Sequence, residues 1–249
     1  MGRVFACSDL HGVMGLYKQI KAFLEPEDKV YFLGDAGDRG YASWELIKTI
    51  YADNQFIYLM GNHEKMLIDA CDEYINDSGD RKYSLLHNNG GCDTFVDWMD
   101  NPQREEWLAR LRKLPKSAIY TNNQEQTIYL THAGFTPMYD YEGNIDLPDG
   151  YDLVWDREHF FDPWPVNTEN VIIVHGHTPT PHLLRDIYNM KKIKVVDREP
   201  WEPGALWYSN HKCCIDNGAF ATGFTCLLDL DTFDEHIFQE CDSEYGETD

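Results

Sequence analysis

The stretch Leu33-Gly-Asp-Ala-Gly-Asp-Arg-Gly40 ends a short apolar run, Lys29–Leu33, that has the character of a buried strand. Its two carboxylates, Asp35 and Asp38, stand three residues apart, and Arg39 follows the second one. Like charges at this spacing repel each other unless a cation lies between them. The stretch therefore indicates either a metal site with an arginine suited to phosphate, or an acidic surface turn.

The same arrangement of a strand followed by polar residues occurs on both sides of this stretch. The apolar run Val4–Ser8 leads into Asp9-Leu10-His11-Gly12, and Phe56–Met60 leads into Gly61-Asn62-His63-Glu64. Because ligand sites in open α/β sheets lie at the carboxyl ends of parallel strands, we expect these polar residues to share one edge. Helices are predicted between the strands, over Val13–Leu24 and Ser43–Ala52.

The remainder of the chain divides into a helical stretch and a second group of strands. Residues from about 65 to 115 lack strand alternation and predict a helical insert or cap beside the site. A loop is predicted over Tyr139–Tyr151, and residues 1–249 are predicted to form a single domain. Further strands are predicted at Ala118–Thr121, Thr127–Thr131, Val171–Val174, Lys192–Val196, Lys212–Ile215, Phe224–Leu230 and His236–Gln239.

Charge and composition restrict the class of protein. The chain has 43 acidic and 21 basic side chains and a formal net charge of -22, which argues against a nucleic-acid partner. No apolar run approaches membrane-spanning length, and a strand begins near the N-terminus where a signal peptide would lie. The seven cysteines are odd in number and show no CxxC spacing. We therefore expect a cytoplasmic protein with reduced thiols and no membrane partner.

Polar blocks follow five predicted strands, and their residue types suit divalent transition metals. The blocks contain carboxylates, imidazoles and one amide, which together offer mixed nitrogen and oxygen donors. This number of donors is sufficient for two metals that share one carboxylate, the arrangement used for in-line phosphoryl displacement. The blocks are Asp9/His11, Asp35/Asp38/Arg39, Asn62/His63, His132 and His177.

The motifs Asp9–Gly12, Gly34–Gly40 and Gly61–Glu64 resemble the DxHG, GDxxDRG and GNHE motifs of the calcineurin-like metallophosphoesterases. His132 in His-Ala-Gly and His177 in Gly-His-Thr resemble the two later histidine motifs of that family. The resemblance extends from residue 9 to about residue 178. It is closest to the phosphoprotein phosphatase branch, the serine/threonine phosphatases, in its bacterial and phage form.

The resemblance implies a binuclear metal site and a hydroxide nucleophile activated by the two metals. The metal is expected to be manganese, with iron, zinc or cobalt as alternatives. The implied ligands are Asp9 and His11 for the first metal, Asp35 for both metals, and Asn62, His132 and His177 for the second.

The resemblance also implies the residues that act on the substrate. Arg39 would hold the phosphoryl oxygens. Arg157, in the run Trp-Asp-Arg, is similar to the second phosphate-binding arginine of the bacterial and phage members. His63 would donate a proton to the leaving oxygen, and Asp38 would orient its imidazole.

The family implies a four-layer α/β/β/α sandwich of the metallophosphoesterase type, with the site at the strand ends and a helical cap insert. We expect a metal-dependent phosphomonoesterase, a serine/threonine protein phosphatase, acting on a phosphorylated protein or a small phosphoester. The alternative is a dinucleoside tetraphosphate hydrolase, which uses similar motifs on a similar fold. A catalytically silent binding module is a third hypothesis, and the intact set of candidate ligands argues against it.

Overall fold

Two five-stranded sheets form the centre of the protein. The structure, a computed structural model, describes residues 2–77, 79, 81–142, 144–148, 150, 152–161, 170–182, 202–209 and 211–240. The predicted strand Lys192–Val196 lies outside the described residues, so that prediction stays open. The described strands are β1 (Val4–Cys7), β2 (Lys29–Phe32), β3 (Phe56–Tyr58), β4 (Ser117–Thr121), β5 (Thr127–Thr131), β6 (Met138–Tyr139), β7 (Ile145–Asp146), β8 (Val171–His175), β9 (Leu206–Ser209), β10 (Lys212–Cys214), β11 (Phe224–Asp229) and β12 (Glu235–Gln239).

Each sheet contains three neighbouring parallel strands. The first sheet has the order β12-β11-β1-β2-β3, and the second has the order β4-β5-β8-β10-β9. In the first sheet, Tyr31 of β2 lies between Ala6 of β1 and Ile57 of β3, and all three strands run parallel. In the second sheet, β5, β8 and β10 run parallel. The predicted parallel βαβ units are confirmed, and the carboxyl ends of these strands face one edge.

Helices cover the outer face of the first sheet, and their apolar side chains form the larger core with β1, β2 and β3. Phe5, Leu16 and Trp98 are among its fully buried members, and each such side chain stabilises the fold by about 1.5–3 kcal/mol. The described helices are α1 (Met14–Phe23), α2 (Ser43–Ala52), α3 (Asn62–Asn76), α4 (Lys82–Asn88), α5 (Cys92–Asp100), α6 (Arg104–Leu111), α7 (Asp152–Trp155) and α8 (Ala219–Thr222), with a 3₁₀ turn at Glu158–Phe161.

A second apolar cluster joins the two sheets face to face. Leu130 of β5 and Val174 of β8 pack there with Leu228 of β11. On the far side of the second sheet, Leu153 of α7 packs with Ile173 of β8 and with Phe135. The order of layers is therefore helix, sheet, sheet, helix, which confirms the predicted four-layer α/β/β/α sandwich of the metallophosphoesterase type.

The helical stretch between β3 and β4 consists of four helices, α3 to α6. They pack into the same core as α1 and α2, on the outer face of the first sheet. The first turn of α3 carries Asn62, His63 and Glu64 at the site. The turn Gly90–Gly91, between α4 and α5, meets the loop after β2, where the amide of Arg39 donates to the carbonyl of Gly90 at 2.9 Å. The described helices thus add to a layer of the sandwich, and one turn of them touches the loop after β2.

Three details of the sequence-based strand and loop assignments were wrong. The predicted loop Tyr139–Tyr151 contains a short antiparallel hairpin, in which Tyr139 pairs with Ile145. The strand Leu206–Ser209 was not predicted, since its side chains do not alternate clearly between polar and apolar. Within the helical stretch, the sequence predicts a last helix over Arg104–Leu114, but this helix ends at Leu111, where turns of the chain lead to Pro115.

Close approach of two loops brings the residues after β2 and β3 together. Gly34 has a φ of 101°, a left-handed conformation, and a Cβ at this position would overlap the backbone of Gly61. Glycine at position 34 therefore permits the contact that places Asp35 beside Asn62 and His63.

The six described cysteines, which exclude Cys241, are free thiols, as predicted. Among the described residues, no helix combines the length and the apolar character needed to cross a bilayer.

Candidate active site

Asp35 lies at the centre of the predicted site. Its Oδ2 atom is 3.4 Å from Nε2 of His132, 3.7 Å from Nε2 of His11 and 3.9 Å from Nε2 of His63. The Asp35 side chain is 2% exposed, so solvent does not screen these interactions strongly. One buried carboxylate is thus directed at imidazoles from both sheets.

Two groups of candidate metal ligands share Asp35. One group is His11, Asp35 and His63, and the other is Asp9, Asp35 and His132; within each group the ligand atoms lie within 4.8 Å of one another. This places Asp9 with His132, whereas the sequence analysis paired Asp9 with His11. His11 also lies 4.0 Å from Asp9, between Nε2 and Oδ1. The shared position of Asp35 agrees with a bridging carboxylate, and the division of the other ligands between two metals stays a prediction.

The imidazoles are oriented as metal-binding histidines are. Nδ1 of His11 bonds to the carbonyl of Gly37 at 2.9 Å, and Nδ1 of His132 donates to the carbonyl of Leu33 at 2.8 Å. Bonds of this kind fix the ring and direct Nε2 at the ligand position. In both residues Nε2 faces Asp35, so the donor set fits divalent cations.

The remaining predicted ligands, Asn62 and His177, adjoin this group. Oδ1 of Asn62 lies 2.8 Å from Nε2 of His132 and 2.9 Å from Nδ1 of His177. The backbone amide of His177 donates to Oδ2 of Asp9 at 3.0 Å. The strand ends of both sheets therefore bring all six predicted ligands into one buried site.

Charges in the site oppose the cost of burial. Burial raises the pKa of Asp9 to about 6; the charge of His132 opposes this rise and that of Asp35 adds to it. Burial would also raise the pKa of Asp35, but His132 and His63 hold it well below its usual value. Burial would lower the pKa of His132, yet the Asp35 carboxylate raises it to about 10. Two buried carboxylates here depend on neighbouring positive charge, which is the electrostatic condition of a cation site.

His11 and His177 differ from His132 in their charge. Burial lowers the pKa of each well below its usual value, and neighbouring histidines lower both further. Both imidazoles are therefore neutral near pH 7, and the neutral ring is the form that binds a metal.

His63 and Asp38 form the predicted acid pair. Nδ1 of His63 bonds to Oδ2 of Asp38 at 2.7 Å, and both side chains are 2% exposed. Burial would lower the pKa of His63, but Asp35 and Asp38 outweigh it and raise this pKa. The two carboxylates thus favour the charged form of the imidazole, and the bond to Asp38 fixes the ring with Nε2 directed toward Asp35.

The two predicted phosphate-binding arginines reach the site from different sheets. Arg39 donates from Nη1 to Nε2 of His11 at 2.7 Å and from Nη2 to Nε2 of His63 at 2.8 Å. Arg157 donates from Nε to Nε2 of His177 at 3.1 Å. The structure thus places one guanidinium against each half of the ligand set, although the sequence motif around Arg157 is short.

Six site residues have strained backbones. A positive φ costs a residue with a side chain on the order of 1–3 kcal/mol, and such residues are retained where the surrounding structure holds them. Ten non-glycine residues of the described part have a positive φ, and six of these are predicted site residues: Asp9, His11, Asp35, Asp38, Arg39 and His177. This concentration indicates that the loops are shaped for the side chains they carry.

Glu64 holds the loop of Asp35; from the sequence alone, support of the site and the mere start of a helix were equal interpretations of this residue. Its Oε2 atom accepts from the amides of Asp35 and Gly61, both at 2.8 Å. Its Oε1 atom accepts from the amide of Ala36 at 2.9 Å and from the hydroxyl of Tyr58 at 2.7 Å. Its position at the third residue of α3 was a usable signal, since glutamate there commonly bonds back to the start of the helix.

Asp216 lies between β10 and α8, in the run Asp216-Asn217-Gly218 that the sequence predicts to be a turn packed near the site. It is buried, and its Oδ1 accepts from the amide of Gly218 at 2.7 Å. Burial raises its pKa well above the usual value, and the charge of Asp9 adds to the rise. The bond to Gly218 holds the chain directly before α8.

A family model described as calcineurin-like phosphoesterase matches residues 2–222 of the chain. Among curated proteins, the "Bis(5'-nucleosyl)-tetraphosphatase, symmetrical" of Nitrosococcus oceani is 28% identical over 141 residues. These residues cover 55% of this chain and 45% of that protein. The matched stretch is therefore less than half the length of this relative.

Solved structures share the fold across almost the whole chain. A candidate diadenosine tetraphosphatase matches with a TM-score of 0.60 and 12% identity, covering 97% of this chain and 95% of that one. A serine/threonine phosphatase from Saccharomyces cerevisiae, described as similar to human PP5, matches with a TM-score of 0.58 and 15% identity. It covers 96% of this chain and 80% of that one. At identities this low, the structural likeness shows a shared fold alone.

Proposed function

Because the chain belongs to the calcineurin-like phosphoesterase family, we propose that it is a two-metal hydrolase whose substrate is a dinucleoside tetraphosphate. The family resemblance inferred from the motifs is thereby confirmed, and a phosphoester hydrolase is the supported class. The position of Asp35 in both groups of candidate ligands carries the two-metal part of the proposal. A carboxylate shared in this way is what a pair of adjacent cations requires.

The proposed metal ligands are those inferred from the sequence. Asp9 and His11 would hold the first divalent ion, Asp35 would hold both, and Asn62, His132 and His177 would hold the second. When bound, the two ions supply the Lewis acidity that polarises the phosphoryl group and activates water. Mixed nitrogen and oxygen donors suit manganese, and also iron, zinc or cobalt.

The chain's own residues then bind the phosphoryl group and protonate the leaving group. Arg39 and Arg157 lie against the two halves of the ligand set, so each can hold a phosphoryl oxygen with a planar fork of donors. His63 is buried and paired with Asp38, which favours the protonated imidazole and leaves Nε2 to donate to the leaving oxygen.

The choice of substrate rests on the curated relatives. The named tetraphosphatases match by sequence as well as by motif, which supports the dinucleoside tetraphosphate over a phosphoprotein. The first choice of the sequence analysis, phosphoserine and phosphothreonine in proteins, is the second candidate. The motif resemblance of Gly34–Gly40 and Gly61–Glu64 to the serine/threonine phosphatases favours it.

Parallel turnover of two substrates tests the proposal. Purified protein with manganese is given diadenosine tetraphosphate or a panel of phosphoserine and phosphothreonine peptides, and kcat/KM is compared. Symmetrical hydrolysis of the dinucleotide yields two molecules of ADP, whereas asymmetrical hydrolysis yields ATP and AMP. We expect ADP alone and a kcat/KM at least tenfold above that for any peptide. Faster turnover of the peptides would reject the dinucleotide and support the second candidate.

A further inference from the structure

A buried chain of polar side chains lies behind the second half of the site. The hydroxyl of Tyr208, in β9, is 2.8 Å from Nε2 of His175, in β8. The same hydroxyl is 3.3 Å from Nδ1 of His159, in the 3₁₀ turn. All three residues are almost completely buried. Buried polar groups retain their bonds because an unpaired one is costly, so this chain holds the three elements in one arrangement.

Lys212 and Phe160 complete this cluster. Lys212 is 2% exposed, and its Nζ donates to the backbone carbonyl of His159 at 2.6 Å. The ring of Phe160 packs 5.5 Å from that of His175 and 5.2 Å from that of Tyr208. Burying a lysine is expensive, and its bond to the 3₁₀ turn offsets part of that cost only in this geometry. We refer to His159, Phe160, His175, Tyr208 and Lys212 as the anchor cluster.

The anchor cluster is connected by short stretches of chain to both partners of one site contact. Arg157 immediately precedes the 3₁₀ turn that carries His159, and His177 follows His175 by two residues. Arg157 donates from Nε to Nε2 of His177 at 3.1 Å. The cluster therefore ties the segment that carries the arginine to the strand that carries the histidine.

We propose that the anchor cluster positions Arg157 for the phosphoryl group, with Tyr208 as its central positioning residue. Arg157 is exposed and lies in the short segment between α7 and the 3₁₀ turn. Packing around its own side chain therefore contributes little to fixing the position of the guanidinium. A bidentate contact with a phosphoryl group needs the guanidinium within a narrow range of positions. The inference rests on the proposed function, because Arg157 has a phosphoryl group to bind only in such a hydrolase.

A double-mutant cycle tests this inference. Tyr208→Phe removes one hydroxyl and keeps the ring, and Arg157→Ala removes the guanidinium. With p-nitrophenyl phosphate and manganese, we expect Tyr208→Phe to raise KM and the inhibition constant of inorganic phosphate by roughly threefold to tenfold, the effect of losing a positioning hydrogen bond. In the Arg157→Ala background, the same substitution should change neither constant by more than about 1.5-fold, since coupled residues are not additive.

Tyr17→Phe is the matched control. Tyr17, in α1, is also a buried tyrosine, and its hydroxyl donates to Asp53, at the end of α2, at 2.8 Å. This variant should leave KM and the inhibition constant of phosphate unchanged, both in the wild-type background and in the Arg157→Ala background. Thermal melting checks that each variant is folded at the assay temperature, and Lys212→Met replaces Tyr208→Phe if the latter is not.

Three results would overturn the inference. The first is an equal effect of Tyr208→Phe in both backgrounds, which would make the cluster structural. The second is no effect of Tyr208→Phe where Arg157→Ala has one. The third is no effect of Arg157→Ala itself. That result would exclude Arg157 from phosphate binding and would leave the proposed hydrolase unaffected. Failure of the proposed function is distinct, because the wild-type protein would then show no metal-dependent turnover.

Discussion

Nδ1 of His63 lies 2.7 Å from Oδ2 of Asp38, and neither side chain is exposed to solvent by more than 2%. Burial would lower the pKa of His63, but the adjacent carboxylates raise it. A buried ion pair of this kind costs desolvation energy, and active sites retain such pairs to set the protonation of a catalytic group. In the proposed hydrolase, His63 would be a proton donor whose acidity and ring orientation depend on Asp38.

We expect His63→Asn to lower kcat by roughly 10²–10⁴-fold for diadenosine tetraphosphate, the usual contribution of general acid catalysis. The loss should be smaller for p-nitrophenyl phosphate, since nitrophenolate leaves without protonation. Asp38→Asn should show the same pattern with a smaller loss. Metal content, measured on the purified variants, should stay at the wild-type level. Equal losses on both substrates, or loss of metal, would contradict the acid role.

Removal of divalent metal should abolish turnover and lower the melting temperature. Asp9 and Asp35 are both buried, and a bound cation relieves the repulsion between them. Manganese at about 100 times its dissociation constant would stabilise the fold by about 2.7 kcal/mol. For a chain of this size, that corresponds to a rise of roughly 5–10 °C in melting temperature.

Two variants control the metal experiment. Asp35→Asn should lose both the rise in melting temperature and the turnover, because Asp35 belongs to both ligand groups. Asp100→Asn, at the exposed end of α5, should keep both. A wild-type melting temperature that does not respond to manganese would contradict the two-metal site.

Arg39→Lys should weaken phosphate inhibition and reduce kcat/KM by roughly tenfold to a hundredfold. Lysine keeps the charge but lacks the planar fork, and losing a hydrogen bond to a charged group costs about 1.5–3 kcal/mol. Arg110→Lys is the matched control, since Arg110 pairs with Glu106 on the exposed face of α6. Steady-state kinetics with and without phosphate give the comparison, and equal kinetics in both variants would remove Arg39 from phosphate binding.

Glu64→Gln should destabilise the fold and weaken metal binding together. The two carboxylate oxygens of Glu64 accept four hydrogen bonds, whereas glutamine presents an NH₂ group to two of the donors. Leaving buried amides unpaired costs about 1–3 kcal/mol each. Urea denaturation and manganese titration measure the two effects. Unchanged metal affinity in a destabilised variant would show that Glu64 supports the fold without shaping the loop of Asp35.

Asp28→Asn should lower the free energy of unfolding at neutral pH, and the difference from wild type should disappear in acid. Burial would raise the pKa of Asp28, but its bonds to Arg3 and to the amide of Glu25 lower it below the usual value. A depressed carboxyl pKa stabilises the fold above the unfolded pKa of about 3.9, and this stabilisation is lost as pH falls through the folded pKa. We expect a loss of about 1–2 kcal/mol at pH 7, since Arg3 is 41% exposed and partly screened.

Urea denaturation at pH 7, 5, 4 and 3.5 measures the effect of Asp28→Asn. The difference from wild type should be constant from pH 7 to pH 5 and should shrink below pH 4. Asp100→Asn again provides the control, since Asp100 is exposed. A difference in stability that grows in acid would contradict the lowered pKa of Asp28 in the folded protein.

The sequence by itself was sufficient to predict the parallel strands of the first sheet and the polar side chains that follow them. Asp9, Asp35 and Asn62 each come just after an apolar strand, and parallel strands present their carboxyl ends at one edge. This information is local, because a motif and its strand are contiguous in the chain. The family and the candidate ligands were therefore accessible before any coordinates.

Tertiary structure alone decided how these residues are arranged in space. The sharing of Asp35 between two ligand groups depends on a contact of the two sheets, in which the carbonyl of Leu33 accepts from His132. The anchor cluster joins His159, His175 and Tyr208, which are far apart in the chain and show no common pattern. Such contacts come from how the layers pack, and neither periodicity nor motif spacing carries information about packing between distant segments.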